Sequence, residues 1–234
     1  MSKKDLPTQR PGGDAVEGFL KEVAQRPPPA PGSGRGRLIF AMDATASREP
    51  TWDRACQVQG QMFLETAALG GLDVQLVYYR GFDECRASRW VDNPGDLVRL
   101  MTGVFCLAGQ TKLGRVLRHA VRETEKKRVA ALVFVGDCFE ENLDEVGQIA
   151  GQLGMQGVRA FLFQEGRNPE AERAFRHIAQ LTNGVHCRFD SNSPQQLRDL
   201  LGAVAAYAAG GRRALADLSQ RSSAEVRLLA SQVR

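Results

Sequence analysis

The chain lacks most of the features that mark exported, membrane-bound or zinc-binding proteins. No apolar run approaches the roughly 18 residues that a membrane span requires, so no membrane segment is expected. The first residues lack the apolar centre of a secretory signal, and the five cysteines include no C-x-x-C pair. The three histidines are scattered, and His186-Cys187 has no second pair with which to form a zinc site. These absences predict a cytoplasmic protein with reduced cysteines.

Two common catalytic signatures are also missing. The sequence contains neither the phosphate-binding pattern G-x-x-x-x-G-K-[ST] nor the nucleophile elbow G-x-S-x-G. Its composition, 43% hydrophobic and 25% charged, is that of an ordinary globular protein. A chain of 234 residues has room for one domain of about 170–200 residues and tails.

The positive charge lies in the two ends of the chain. Residues 1–37 and 210–234 each carry a net charge of +3, whereas residues 38–209 carry −2. Basic ends favour acidic surfaces or RNA. However, no aromatic residues alternate with these arginines as a base-stacking surface requires, which argues against nucleic-acid binding.

Three segments follow from the composition. Residues 1–36 form an N-terminal arm, with a short amphipathic helical pattern from Asp14 to Val23 and a Pro/Gly-rich linker. Residues 37–209 form the main domain. Residues 210–234 form an amphipathic C-terminal helix after Gly210-Gly211, which packs on the domain or mediates oligomerisation.

The main domain alternates between strand and helix patterns. Strands are predicted near 38–42, 73–79, 87–91, 130–135, 158–163 and 185–189, and helices near 52–69, 94–102, 112–126, 143–153, 169–182 and 194–209. The second and third strands are too close in sequence for a crossover helix, so they form an antiparallel hairpin. We therefore expect an α/β, doubly wound, Rossmann-like sandwich with a mostly parallel sheet and one antiparallel edge strand.

Oxygen-bearing side chains follow two of the predicted strands and precede one helix. Asp43, Thr45 and Ser47 come at alternate positions directly after a buried strand. Thr111 follows Gly109-Gln110 before a helix, and Asp137 ends another apolar run. Each alone is also explained as a helix cap or turn residue. Together they offer oxygen ligands without His or Cys, which favours Mg²⁺, with Mn²⁺ or Ca²⁺ as alternatives, over zinc.

This pattern resembles the metal-ion-dependent adhesion site of von Willebrand factor A (vWA) domains, in the form found in bacterial intracellular members. That family's motif is D-x-S-x-S, with a later Thr and a later Asp, and here Thr45 replaces the first Ser. The resemblance implies direct metal contacts from the hydroxyls and largely water-mediated contacts from the aspartates. It also implies an open metal position that takes an Asp or Glu carboxylate from a partner protein.

The residues around this site are predicted to form a partner-binding rim: Glu49, Trp52, Phe139 and Glu140. For Trp52, packing on its own helix is the competing interpretation. The segment after Ser47 differs from the Gly-Ser-Met ending common in adhesion-type members, so no familiar extracellular ligand is inferred.

The sequence thus favours a non-enzymatic, cytoplasmic adaptor that binds a partner protein through Mg²⁺. One alternative is a Mg²⁺-dependent phosphoryl hydrolase or transferase using Asp43. Phosphatases of the haloacid-dehalogenase type also begin with an apolar strand followed by an Asp. However, they need a second Asp two residues later, and this chain has Thr45 at that position. Another alternative is an RNA-associated scaffold that acts through the basic tails.

Overall fold

The computed structural model describes residues 35–48, 71–189 and 194–221. Within them, six strands form one sheet in the order β3-β2-β1-β4-β5-β6. The strands are β1 Gly36–Asp43, β2 Leu72–Arg80, β3 Glu84–Val91, β4 Ala131–Gly136, β5 Arg159–Glu165 and β6 Val185–Phe189. Only the β2–β3 pair is antiparallel. The predicted fold class, with its single antiparallel edge strand, is confirmed.

Five helices accompany the sheet in the described part of the chain. They are α1 Pro94–Thr102, α2 Leu113–Lys126, α3 Leu143–Met155, α4 Pro169–Leu181 and α5 Pro194–Arg221. Asn93, Asn142 and Asn168 start α1, α3 and α4, since each side chain accepts a hydrogen bond from a first-turn amide. Gly211 interrupts α5 with a φ of 68°, in the left-handed region that glycine adopts without strain.

The helices cover both faces of the sheet because β1 is apolar on both sides. Leu38, Phe40 and Met42 pack with residues of α1 and α5, whereas Ile39 and Ala41 pack with α2, α3 and α4. All five are 0–1% exposed. Continuous apolar runs of this kind are typical of parallel strands buried between two helical layers.

The order of the strands creates a crevice at one end of the sheet. β1 and β4 are parallel neighbours, with Met42 opposite Val135. The chain leaves β1 towards β2 and leaves β4 towards β5, in opposite directions. In open α/β sheets such a change of direction marks the usual ligand-binding edge. Asp43 and Asp137 come at the carboxyl ends of these two strands, as the sequence predicted.

A buried network at the other end of the sheet fixes α2 beside β3. Glu123 of α2 accepts hydrogen bonds from Trp90 Nε1 at 2.9 Å and Arg37 Nη2 at 3.2 Å. The Arg37 guanidinium also lies 3.8 Å from the centroid of the Trp90 ring. His119 of α2 is hydrogen-bonded to Gln75 Oε1 at 2.8 Å. These contacts connect α2 to the three strands β1, β2 and β3.

Several predictions fall on residues outside the described ranges: the N-terminal arm, the helix near 52–69 and the end of the C-terminal helix. The division of the chain into the segments 1–36, 37–209 and 210–234 therefore stays a prediction. In the described part of the chain, no helix has the length and apolar character needed to cross a membrane.

Candidate functional site

Asp43 lies at the end of β1 and is completely buried. Its Oδ1 accepts a hydrogen bond from the Thr45 backbone amide at 2.7 Å, which fixes the turn that follows the strand. Its Oδ2 is also buried but has no hydrogen-bond partner among the described residues. A turn requires only the first of these oxygens. The second leaves a buried acceptor unsatisfied, which costs about 1–3 kcal/mol unless a ligand compensates for it.

Thr45 and Ser47 provide two hydroxyls on the same turn. Their Oγ atoms are 3.1 Å apart. Thr45 is 7% exposed, while Ser47 is exposed in the short 3-10 helix Ala46–Arg48. The Leu107 amide donates to the Ala44 carbonyl at 3.0 Å, and Thr45 forms an isolated parallel bridge with Leu107. The turn after β1 is therefore attached to the loop that carries Thr111.

Thr111 is buried and does not cap α2. The residue at the N-cap position is Lys112, and it makes no side-chain capping hydrogen bond. Instead, Thr111 Oγ1 accepts from the Glu140 amide at 3.0 Å, and the Thr111 amide donates to Glu140 Oε2 at 3.3 Å. Glu141 Oε2 similarly accepts from the Gly114 amide at 3.1 Å. These contacts join the loop before α2 to the loop after β4.

Asp137 follows β4 and is half-buried. Its Oδ1 is buried without a hydrogen-bond partner in the described part of the chain. The preceding Gly136 brings this strand end close to β1, because a Cβ at position 136 would lie 3.6 Å from the Asp43 Cβ. That Cβ would also come within 2.8 Å of the Phe134 ring, so glycine is required for the close packing here.

The carboxylates of the site have no positively charged side chain beside them among the described residues that would stabilise their ionised forms. Burial raises the pKa of Asp43, and the nearby charge of Asp137 raises it further, against the hydrogen bond from Thr45. Burial and the charge of Asp43 also hold the pKa of Tyr79 well above its usual value. Burial, together with Asp137, raises the pKa of the Cys138 thiol to about 11. Negative charge on these three side chains is therefore costly, and a cation beside Asp43 would relieve the cost.

The donor set fits a hard cation better than a zinc ion. No group of three or more His, Cys, Asp or Glu side chains is placed to hold a metal in the described ranges. The site instead combines two carboxylates, each with an unpartnered oxygen, with the hydroxyls of Thr45, Ser47 and Thr111. Oxygen ligands of this kind suit Mg²⁺, Mn²⁺ or Ca²⁺. The structure thus places all five sequence-predicted ligands on the loops at one end of the sheet.

The structure describes only two of the four residues of the predicted partner-binding rim, Phe139 and Glu140. Glu49 and Trp52 lie outside the described residues. Glu140 is exposed beside Thr111. Phe139, in contrast, is 8% exposed and packs in the core between the sheet and α2–α4. We correct the prediction for Phe139: its ring fills the core, where a partner protein has no access to it.

Three exposed apolar side chains near the site were not anticipated from the sequence. Phe82, Phe105 and Leu107 are 70%, 60% and 41% exposed. The Arg80 guanidinium lies 4.0 Å from the Phe105 ring centroid, and Arg80 Nη1 donates to the Phe105 carbonyl at 2.9 Å. We call Phe82, Phe105 and Leu107 the apolar rim. In the sequence, Val104-Phe-Cys-Leu107 has the composition of a core segment, so only the structure reveals its exposure.

Gly109 keeps the apolar rim against the β2–β3 turn. A Cβ on Gly109 would lie 1.9 Å from the Gly81 carbonyl oxygen, a distance that no side chain tolerates. The Gln110 amide donates to that same oxygen at 3.3 Å. The glycine before Thr111 is thus explained by a close approach of two backbones.

Comparisons with known proteins agree with this architecture. No family model and no curated protein matches the chain. Among solved structures, the SpRpn10 VWA domain matches with a TM-score of 0.57 and 14% identity, over 71% of this chain and 94% of that one. The chain has a vWA-like fold. The same fold relates it to the PilB minor pilin of Streptococcus sanguinis, with a TM-score of 0.55, 11% identity and coverage of 75% and 62%. The pilus adhesin SpaC of Lactobacillus rhamnosus GG matches with a TM-score of 0.60 and 8% identity, over 82% of the vWA-like chain and 31% of the adhesin.

Proposed function

We propose that this vWA-like protein is a non-enzymatic interaction module that binds a partner protein through a divalent cation, with Mg²⁺ as the first candidate. Asp43, Thr45, Ser47, Thr111 and Asp137 hold the cation. A carboxylate from an Asp or Glu of the partner completes the site. The observation that carries the proposal is the pair of unpartnered carboxylate oxygens, Asp43 Oδ2 and Asp137 Oδ1, at adjacent strand ends.

The division of roles among the five residues follows from their contacts. Asp43 fixes the turn with one oxygen and leaves the other for the cation or its water. The two hydroxyls that follow it, and the hydroxyl of Thr111, contribute neutral ligands. Neutral ligands quench little of a divalent charge, so the bound cation supplies an attraction for one further anionic oxygen. Glu140 holds Thr111 in place from the neighbouring loop.

The apolar rim supports an interaction role. Aromatic and aliphatic side chains beside a charged contact exclude water and provide the apolar part of an interface. Arg80 contacts both the ring and the carbonyl of Phe105, and these contacts reduce the ordering that a partner would have to impose on this side chain. We therefore expect the partner to present its carboxylate next to apolar side chains.

Two observations argue against the hydrolase alternative. The position where a second catalytic Asp is needed carries Thr45, whose hydroxyl is close to Ser47. The histidines that the structure describes nearest to the sheet are engaged elsewhere, since His119 is hydrogen-bonded to Gln75 and His186 to Gln164. The RNA-scaffold alternative depends on the two tails, which lie largely outside the described residues. Its only support is therefore the net positive charge of their sequences.

The proposal is tested by capturing partners from native lysate in Mg²⁺ and in EDTA. We expect at least one protein that is retained only with Mg²⁺ and is lost with Asp43→Ala and with Thr111→Ala. Asp92→Ala is the matched control, because Asp92 is exposed directly after β3, at the opposite end of the sheet from the proposed ligands. Partners that ignore EDTA and both site variants would contradict the metal-dependent mechanism.

A further inference from the structure

The solvent face of α2 is strongly basic, although the main domain as a whole is slightly acidic. Residues 112–128 contain seven Lys or Arg and two Glu, and one of the glutamates, Glu123, is buried in the network with Arg37. Arg115, Arg118 and Arg122 are spaced by three and four residues, so they lie on one stripe of the helix, and all three are exposed. Averaging the charge over residues 38–209 conceals this stripe.

β3 runs beside the stripe and is an open sheet edge. β3 is the outermost strand on one side of the sheet, so in the described part of the chain it is hydrogen-bonded to β2 on one side and to no strand on the other. Arg86 and Arg89 of β3 are 70% and 72% exposed. An edge strand of eight residues offers a row of backbone amides and carbonyls for another extended segment.

The stripe and the edge form one surface. Arg115 Nη1 donates to the Asp83 carbonyl at 2.7 Å, directly before β3. Cys85 of β3 lies among the arginines of the stripe: burial raises the pKa of its thiol, while Arg115, Arg118 and Arg122 each act to lower it. We call these three arginines, together with the open edge of β3, the arginine edge. Arg86 and Arg89 lie on the opposite face of β3, where Arg89 pairs with Asp96 of α1.

The charges of the arginine edge are only partly neutralised. Arg115 pairs with Asp83 at 3.3 Å, and both side chains are exposed. Exposed pairs of this kind are worth about 0–1 kcal/mol and exchange readily for other anions. Arg118 and Arg122 have no carboxylate within 4.0 Å in the described ranges, so they are available to an acidic ligand.

The same surface is poorly suited to other occupants. RNA binding normally uses exposed aromatic rings, but Trp90 of β3 is half-buried with its face covered by Arg37. A helix that inserts into a membrane surface needs apolar side chains on its outer face, where this stripe carries arginines. A second copy of the chain, pairing edge to edge, would bring arginines against arginines.

We propose that the arginine edge binds an extended acidic segment of a partner protein, which adds to β3 as a further strand. The backbone of β3 provides the pairing, and the three arginines of α2 select acidic side chains at alternate positions of the added strand, on the face towards α2. This surface adjoins the apolar rim at Asp83, but none of its residues is a proposed metal ligand, so it can be tested without the metal site.

The test uses a fluorescent eight-residue peptide of alternating Glu and Val, measured by anisotropy with the full chain. We expect saturable binding that weakens at least tenfold in the double variant Arg118→Glu, Arg122→Glu. The matched control is Arg167→Glu, Arg173→Glu, which makes the same charge change at exposed positions in and before α4 and should change binding less than twofold. Thermal melting of both variants verifies that they fold.

Two further probes separate strand addition from simple charge attraction. A peptide of the same sequence with alternate backbone amides methylated should bind at least tenfold more weakly, and hydrogen exchange of β3 amides should slow only with the unmodified peptide. The proposal is overturned if the unmodified peptide does not bind, if the methylated peptide binds equally well, or if an oligouridylate of equal charge binds more tightly.

Discussion

Replacing Asp43 by Asn should separate metal binding from stability. Asp43 is fully buried, one of its oxygens has no partner, and the charge of Asp137 is near. Because burial raises its pKa in the folded state, its ionised form opposes folding: the favourable contribution exists below the unfolded-state pKa and is lost as the pH rises through the folded-state value. At pH 7 without metal, the wild-type chain therefore carries a penalty that Asn removes.

The size of the effect follows from the buried charge. Asn keeps the oxygen that accepts from the Thr45 amide and puts a neutral amide nitrogen in place of the unpartnered oxygen. A buried neutral group without a partner costs about 1–3 kcal/mol and a charged one costs more, so we take about 1–3 kcal/mol as the excess cost that Asn removes. For a chain of this size, about 1 kcal/mol shifts the melting temperature by roughly 2–4 °C. In EDTA we expect Asp43→Asn to melt roughly 2–12 °C above the wild type, whereas Asp92→Asn, at an exposed position, should stay close to it.

Mg²⁺ should offset most or all of this difference in stability. A ligand at 100 times its dissociation constant stabilises the folded state by about 2.7 kcal/mol. Calorimetry should show that gain for the wild type and for Asp92→Asn, and none for Asp43→Asn. The reasoning is refuted if Asp43→Asn is less stable than the wild type in EDTA, or if Mg²⁺ stabilises it equally.

Three further predictions concern the structure around the site and at the far end of the sheet. Gly109→Ala forces a Cβ against the Gly81 carbonyl and should cost about 1–3 kcal/mol in chemical denaturation, whereas Gly103→Ala, with no neighbour nearer than 3.6 Å, should be tolerated. Glu140→Ala should weaken Mg²⁺ binding about tenfold in calorimetric titration, because Thr111 loses its carboxylate partner, while Glu140→Gln should retain most of the affinity. Glu123→Gln should cost about 3 kcal/mol, since it leaves buried Arg37 without its counter-charge. The hydrogen bonds from Lys126 and Trp90 outweigh burial and lower the pKa of Glu123, so its contribution should be present above about pH 4.5 and lost in more acidic solution, and the variant should not show this loss.

The sheet was predictable because its central strands β1 and β4 are buried on both faces. The apolar runs before Asp43 and before Asp137 are short and lack helical periodicity, which favours buried parallel strands. The hairpin followed from the short link between β2 and β3. The break at Gly211 was visible as a pair of glycines, although the structure continues α5 to Arg221.

The ligand positions were predictable for a different reason. Strand ends determine where Asp43 and Asp137 lie, whatever their side chains contact. The contact between Thr111 and Glu140 was not predictable, because it depends on how two distant loops pack. The same applies to the burial of Phe139 and the exposure of Phe105, since both are aromatic residues in loop segments and only tertiary packing distinguishes them.

The most direct test of the proposed metal site is a crystal structure of the chain grown with Mn²⁺, with diffraction data collected at the manganese absorption edge. The account predicts one strong anomalous peak among Asp43, Thr45, Ser47, Thr111 and Asp137, which disappears in crystals of Asp43→Asn. Ordered side chains at these five positions with no anomalous peak between them, at saturating Mn²⁺, would contradict it.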